Sequence, residues 1–219
     1  MSVALFGTCR IGKIMNNNEL NEMVNYTRTT KEVIQIIQFL KGELIFPYPY
    51  NIICFRWSIL NNNTPINYNF HNKTFSNTDI FVIELCSIKK YVHNGFYIHE
   101  HKTDKTPSVD HTLEYQSDEE IENDILEIRK ILHPKKIVIV SHYNAKVNGE
   151  YLPARDKLIN LLDYICKKYN IFFINPTNVL SNYSQELILA DNGNDIQHYN
   201  EFGMNIFTNY MNNFLKTII

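Results

Sequence analysis

Glycine is scarce in this chain, 7 residues in 219, and it gathers nowhere. That excludes a Gly-rich loop of the kind that cradles the phosphates of a bound nucleotide. No apolar run approaches the ~18 residues that span a bilayer, and Val3 to Phe6 is too short for a secretory leader. No membrane partner is therefore expected. The four cysteines, Cys9, Cys54, Cys86 and Cys166, stand far apart without C-x-x-C spacing, so a disulfide scaffold and a zinc ribbon are both excluded. A dominant charge of one sign is also missing. Net charge is −2 with 20% charged residues, and Lys and Arg are scattered rather than striped. A nucleic-acid partner is not expected on that distribution. These absences together lead to the expectation of a soluble, cytoplasmic protein of a reducing compartment.

What the chain has is enough apolar material for a full core. Hydrophobic residues make up 44% of 219, which is the size and composition of one domain over 1–219. Asn, Ile, Tyr and Lys are abundant in the manner of an AT-rich coding sequence, so a lone Asn carries little meaning. Val3 to Phe6 reads as a buried strand stopped by Gly7. Thr29 and Glu32 have capping-box spacing, and Val33, Ile36, Ile37 and Leu40 follow at helical spacing up to Gly42. Asn51 to Trp57 reads as a short second strand, and Asn61 to Thr78 as loop. Ile80 to Leu85 is a continuous apolar run expected to be a central strand.

Beyond it, 92–109 reads as an irregular excursion with a hairpin possible within it. Ser117 to Glu120 opens a helix buried through Ile121, Ile125, Ile128 and Leu132. Strands are expected at Lys136 to Val140 and Ile171 to Ile174, with a helix from Pro153 between them. Phe202, Ile206, Tyr210 and Phe214 mark the apolar face of a last helix. From residue 79 the order strand, helix, strand, helix, strand, helix implies an α/β fold, a three-layer α/β/α sandwich with a mostly parallel central sheet. In such sheets the site lies outside the carboxyl ends of the strands, so residues just after Phe6, Leu85, Val140 and Ile174 are the candidates.

Gly7-Thr8-Cys9-Arg10 follows the first strand directly. A thiol held at that turn becomes a nucleophile when a base or positive field favours the thiolate; elsewhere it is a small buried side chain. Asp195-Ile196-Gln197-His198 precedes the last helix, and an Asp three residues before a His can fix the tautomer of a base. Together the two blocks resemble the SGNH (GDSL-type) hydrolase superfamily, in which a Gly-Asp-Ser block follows the first strand and an Asp-x-x-His block precedes the last helix. Here Thr8 and Cys9 stand for the Asp and Ser, as in cysteine-bearing relatives such as the GSCFA and WcbI-type polysaccharide enzymes. The resemblance implies an SGNH- or flavodoxin-like sheet and a catalytic set of Cys9, His198 and Asp195.

The family's oxyanion-hole Gly and Gly-x-Asn blocks have no counterpart after Trp57 or Leu85. Ser87, Ser141, Asn144 and Arg10 are the substitute oxyanion or substrate-binding candidates, and a missing donor costs ~10²–10³ in turnover. Arg155 and Lys146 are further candidates near Val140. His99, His101, Asp110 and His111 are weighed as a metal site and set aside, since their spacing fixes no third ligand.

The resulting expectation is an esterase or an O- or N-acetyltransferase acting on a small-molecule or glycan substrate, with no resident cofactor; acetyl-CoA would be the donor of a transferase. An inactive binding domain for a glycan or protein, and a redox pair of Cys9 with Cys86, are the competing readings.

Overall fold

The structure is a computed structural model that describes residues 2–12, 21–55, 75–99 and 107–218. In chain order its elements are β1 (Val3–Gly7), α1 (Cys9–Gly12), β2 (Asn21–Tyr26), α2 (Thr30–Leu40), α3 (Tyr50–Ile53), β3 (Ile80–Leu85), β4 (Lys89–His93), β5 (Phe96–Ile98) and β6 (Thr112–Tyr115). There follow α4 (Asp118–Leu132), β7 (Lys136–Ser141), β8 (Lys146–Val147), β9 (Glu150–Tyr151), α5 (Pro153–Tyr169) and β10 (Phe172–Ile174). The last are α6 (Pro176–Val179), α7 (Gln185–Ile188), β11 (Leu189–Ala190), β12 (Asp195–Tyr199) and α8 (Glu201–Thr217).

Five strands form the central sheet in the order β2-β1-β3-β7-β10, and every pairing is parallel. Both faces are covered, which is why β1, β3 and β7 are almost uniformly apolar rather than alternating. The pleat sends successive residues to opposite faces. Ala4, Phe6, Phe81, Ile83 and Ile139 pack against α2, α4 and α5. Val3, Leu5, Val82, Val138 and Val140 pack against α7 and α8 through Ile188, Phe207, Met211 and Leu215. The expected three-layer α/β/α sandwich is what forms.

The local signals behind it are visible. Thr29 Oγ1 accepts from the Glu32 N–H at 3.3 Å while the Glu32 carboxylate accepts from the Thr29 N–H at 3.4 Å, closing the capping box that starts α2. Ser117 caps α4, and Pro153 occupies the first turn of α5.

Two expectations are corrected and a third is extended. The second strand of the sheet is β2, not Asn51 to Trp57; Tyr50–Ile53 is a short helix, Cys54 caps it, and 56–57 lie outside the described residues. Only β2's first three register partners run in step with β1 before a shift, as befits an edge strand whose polar sequence hid it. On α8 the buried row is Gly203, Phe207, Met211 and Leu215, while Phe202 and Tyr210 are exposed. The two rows are neighbours with the same period, so periodicity alone does not choose between them. Close packing does: a side chain at Gly203 would run into the Ile188 carbonyl. The hairpin allowed within the excursion forms from β4 and β5, turned at Asn94 and Gly95, both with positive φ, and β6, beyond residue 109, joins it in an antiparallel sheet of order β5-β4-β6. The polar stretch 61–74 and the residues 100–106, His101 among them, lie outside the described residues.

Candidate active site

The strand order reverses direction between β1 and β3, and that is where a cleft opens at the carboxyl ends of an open parallel sheet. β1 ends there at Gly7, pressed against β3: a Cβ on Gly7 would stand 2.6 Å from the Cβ of Glu84. Thr8, Cys9 and Arg10 follow. Thr8 donates to Glu84 Oε2 from both its N–H (2.8 Å) and its hydroxyl (2.6 Å), and Arg10 Nε donates to Glu84 Oε1 at 2.9 Å. One buried carboxylate on the central strand therefore grips the residues on both sides of Cys9. Burial opposes the charge on Arg10, but the charge and hydrogen bond of Glu84 outweigh it, and the guanidinium is held more firmly protonated than usual. Its Nη1 donates to the Gln197 carbonyl at 2.7 Å, which ties the Cys9 turn to the last loop.

In that loop Asp195 Oδ1 accepts from the N–H groups of Gln197 (2.9 Å) and His198 (3.2 Å), and Oδ2 lies 2.8 Å from His198 Nδ1. The Gln197 N–H first, then His198, pull the Asp195 carboxyl below its ordinary range. An ionised carboxylate only accepts, so Nδ1 carries the hydrogen and Nε2 is the nitrogen left for proton transfer. Asn200 then caps α8 through the Gly203 N–H.

Cys9 and His198 line one open cavity of about 600 Å³, together with Thr8, Arg10, Arg28, Ser87, Lys89, His142, Arg155 and Gln197. Four of these side chains are cationic, and no carboxylate lines the cavity among the described residues. Arg155 reaches the carbonyls of Tyr143 (3.2 Å) and Ile196 (3.0 Å); burial and the nearby Arg10 lower its pKa. His142 is buried, with Nδ1 2.7 Å from the Tyr143 carbonyl.

Cys9 is the exposed thiol. Cys86, which also lines the cavity, is pushed up to about 12 by burial and by Glu84. Cys166 is pushed up to about 12 as well, and burial raises Cys54 further. All four cysteines are free.

Thus Cys9, Arg10, Ser87, His198 and, through His198, Asp195 come together. Ser141 and Asn144 do not. Ser141 is buried at the end of β7, and Asn144 lines a separate cavity of about 690 Å³ beside Asp156. At Ser87 the N–H is taken by the Arg28 carbonyl at 3.1 Å, leaving its hydroxyl as the donor. His99 lines the Cys9 cavity rather than a surface hairpin; no group of metal ligands forms among the described residues.

Glu84 and His142 were legible only in part. Glu84 is the one carboxylate inside an apolar run covered on both faces, and a buried carboxylate demands a cation or several donors. His142 sits at a strand end already singled out, between two residues that were chosen instead.

Fold and site together define a three-layer α/β protein with a cationic cleft at the switch point, holding a thiol and an imidazole–carboxylate pair. The chain belongs to the TviD N-terminal domain family, whose model matches residues 1–106 and 102–213. It is 22% identical to the Vi polysaccharide biosynthesis protein TviD of Salmonella typhi over 91% of this chain, and it spans about 30% of that protein's length. Among solved structures it is similar to a protein described as an acylhydrolase from Bacteroides fragilis (TM-score 0.47, 11% identity, 99% of this chain and 87% of that one). A variant of a Geobacillus acetyl-xylooligosaccharide esterase is similar too (TM-score 0.43, 12% identity, 96% and 91%). No helix among the described residues is long and apolar enough to cross a membrane.

Proposed function

We propose that the chain is an acyl-transfer enzyme acting on a carbohydrate, of the cysteine-bearing SGNH type. The observation that carries this reading is the exposed Cys9 sharing a cavity with His198, whose Nδ1 is held 2.8 Å from Asp195. Cys9 Sγ attacks the acyl carbonyl as His198 Nε2 takes the thiol proton. Collapse of the tetrahedral adduct breaks the bond to the leaving group, which takes the proton from His198, and a thioester remains on Cys9. Water or a sugar hydroxyl then attacks the thioester, His198 accepts its proton, and the thiol is restored. Asp195 orients the ring throughout. Arg10, Arg155 and the Ser87 hydroxyl are the donors available to the acyl oxygen.

Membership of a family whose named member serves polysaccharide biosynthesis supports a glycan as substrate. A transferase would draw on a donor such as acetyl-CoA, and the cationic lining of Arg28, Lys89 and Arg155 suits the phosphates of such a donor.

One observation favours an inactive glycan-binding domain instead. The N–H groups of Cys86 and Ser87 are both spent on the Arg28 carbonyl, so the loop after β3 offers no backbone oxyanion donor there. Alkylation decides between the two. With iodoacetamide near neutral pH, Cys9 should react well before Cys54, Cys86 and Cys166, as read by peptide mass spectrometry. His198→Ala should shift its pH–rate profile to higher pH. Labelling of Cys9 that ignores His198 at every pH would remove the Cys–His pair and leave the binding reading.

A further inference from the structure

The cavity of about 690 Å³ beside the end of β10 takes no part in the steps above. The start of α5 divides charge between it and the Cys9 cavity. Arg155 lines the Cys9 cavity, while Asp156, the next residue, lines the second one together with Asn144. Asn144 is 2% exposed. Its Nδ2 donates to Asp156 Oδ1 at 3.3 Å, and because a carboxylate accepts, that contact fixes which amide atom is which. Asn144 Oδ1 is then a buried acceptor with no donor among the described residues. A buried acceptor left unpaired is costly, and a ligand that brings it a donor removes the cost.

Asp156 is short of positive charge as well. Its oxygens receive only neutral donors, from Asn144 and from Asn160 Nδ2 at 3.1 Å, and no ion pair reaches it among the described residues. Lys167 shares the cavity but is held on Asp163 at 2.5 Å. Of the two tyrosines lining the cavity, Tyr151 already has Lys146 over its ring, 4.9 Å from the centre. Tyr210 is 42% exposed.

We propose that this cavity is a second binding site, which takes the ammonium group of an unacylated amino sugar. An ammonium carries three donors, one for Asn144 Oδ1 and another for the Asp156 carboxylate. A hydroxyl would satisfy Asn144 equally well but leave the Asp156 charge unanswered, and a hydrogen bond between ions is roughly twice as strong as a neutral one. The Tyr210 ring suits the same ligand, since an aromatic face attracts a cation. The Cys9 cavity, lined by four cationic side chains, repels it. The two cavities thus sort ligands by charge. The inference takes a carbohydrate ligand from the reading above but asks nothing of Cys9.

The test follows the ¹⁵N signals of the Asn144 and Asn160 side-chain amides while methyl glucosaminide, methyl N-acetylglucosaminide or methyl glucoside is added. At about pH 6, below the range of an amine, the first of these carries the charge. The glucosaminide should give a saturable shift, and the two neutral sugars, which share its ring, should bind ~10-fold more weakly or worse. Asp156→Asn, a change at an exposed side chain in the first turn of α5, should bring the glucosaminide down to the level of the neutral sugars. Cys9→Ala should leave the titration as it is. An equal response to all three sugars, no shift with the glucosaminide, or full binding by Asp156→Asn would overturn the proposal. If Cys9 alkylation ignores His198, it is the acyl-transfer reading that fails, and the same titration still decides this site.

Discussion

At the scale of single residues, the site is organised by a group that does no chemistry. Glu84 accepts two hydrogen bonds from Thr8 and one from Arg10, and Arg10 passes the constraint on to Gln197, next to His198. The carboxylate of Glu84 reaches the Thr8–Arg10 turn from the neighbouring strand. Glu84→Gln would leave the Arg10 guanidinium, 6% exposed, without its anionic partner. Removing one partner of a buried pair costs about 3–5 kcal/mol, which urea unfolding would register as a lower midpoint at similar slope. Thr8→Val removes a single hydroxyl donor, and its cost should be smaller, on the order of 1–2 kcal/mol. Equal stability of Glu84→Gln and the wild type would show that the grip is not structural.

At the scale of elements, α8 shows how close packing selects one face of a helix. Gly203 costs the helix about 1 kcal/mol against alanine in propensity alone, so an exposed glycine there would be worth replacing. In place, its missing side chain admits the Ile188 carbonyl. Gly203→Ala should therefore destabilise the protein despite the better helix former, by roughly 1–3 kcal/mol for an overpacked contact. Thermal unfolding of that variant measures it, and a raised Tm would mean that α8 does not sit where it is described. Because α8 follows β12 directly, a shift of the helix also displaces Asp195 and His198, so loss of the Cys9 alkylation profile should accompany loss of stability.

At the scale of the whole molecule, the site leaves a mark on stability against pH. His142 is held neutral in the fold, its pKa well below 6.5 through burial, Arg10 and Arg155. In the unfolded chain it would titrate near 6.5. Between those two pKa values the unfolded state binds the extra proton, so stability rises with pH and falls on acidification. The buried Glu32 pulls the other way, since burial raises its carboxyl, so the His142 contribution is read as the difference between the wild type and the variant. From pH 7.5 to 5.5 the wild type should lose stability at up to ~1.4 kcal/mol per pH unit from this group. His142→Gln should flatten that limb of the Tm–pH curve; an unchanged slope would show that His142 is protonated in the folded protein.

Much of this was legible in the order of residues. Strands buried on both faces must be continuously apolar, so β1, β3 and β7 announced themselves, and so did the caps of α2 and α4. The Thr8–Cys9 turn and the Asp195–His198 loop were visible because each is a short-range pattern at the end of such an element. What the sequence could not decide was which distant pieces meet. β2 is a polar edge strand, β5-β4-β6 is held by pairings between strands rather than by periodicity, and the buried row of α8 depends on a single close contact. The choice of Glu84 and His142 over Ser141 and Asn144 as the cavity's neighbours is of the same kind. Successive residues at the end of a strand point to opposite sides of the sheet, and only the sheet's assembly decides which side becomes the cleft.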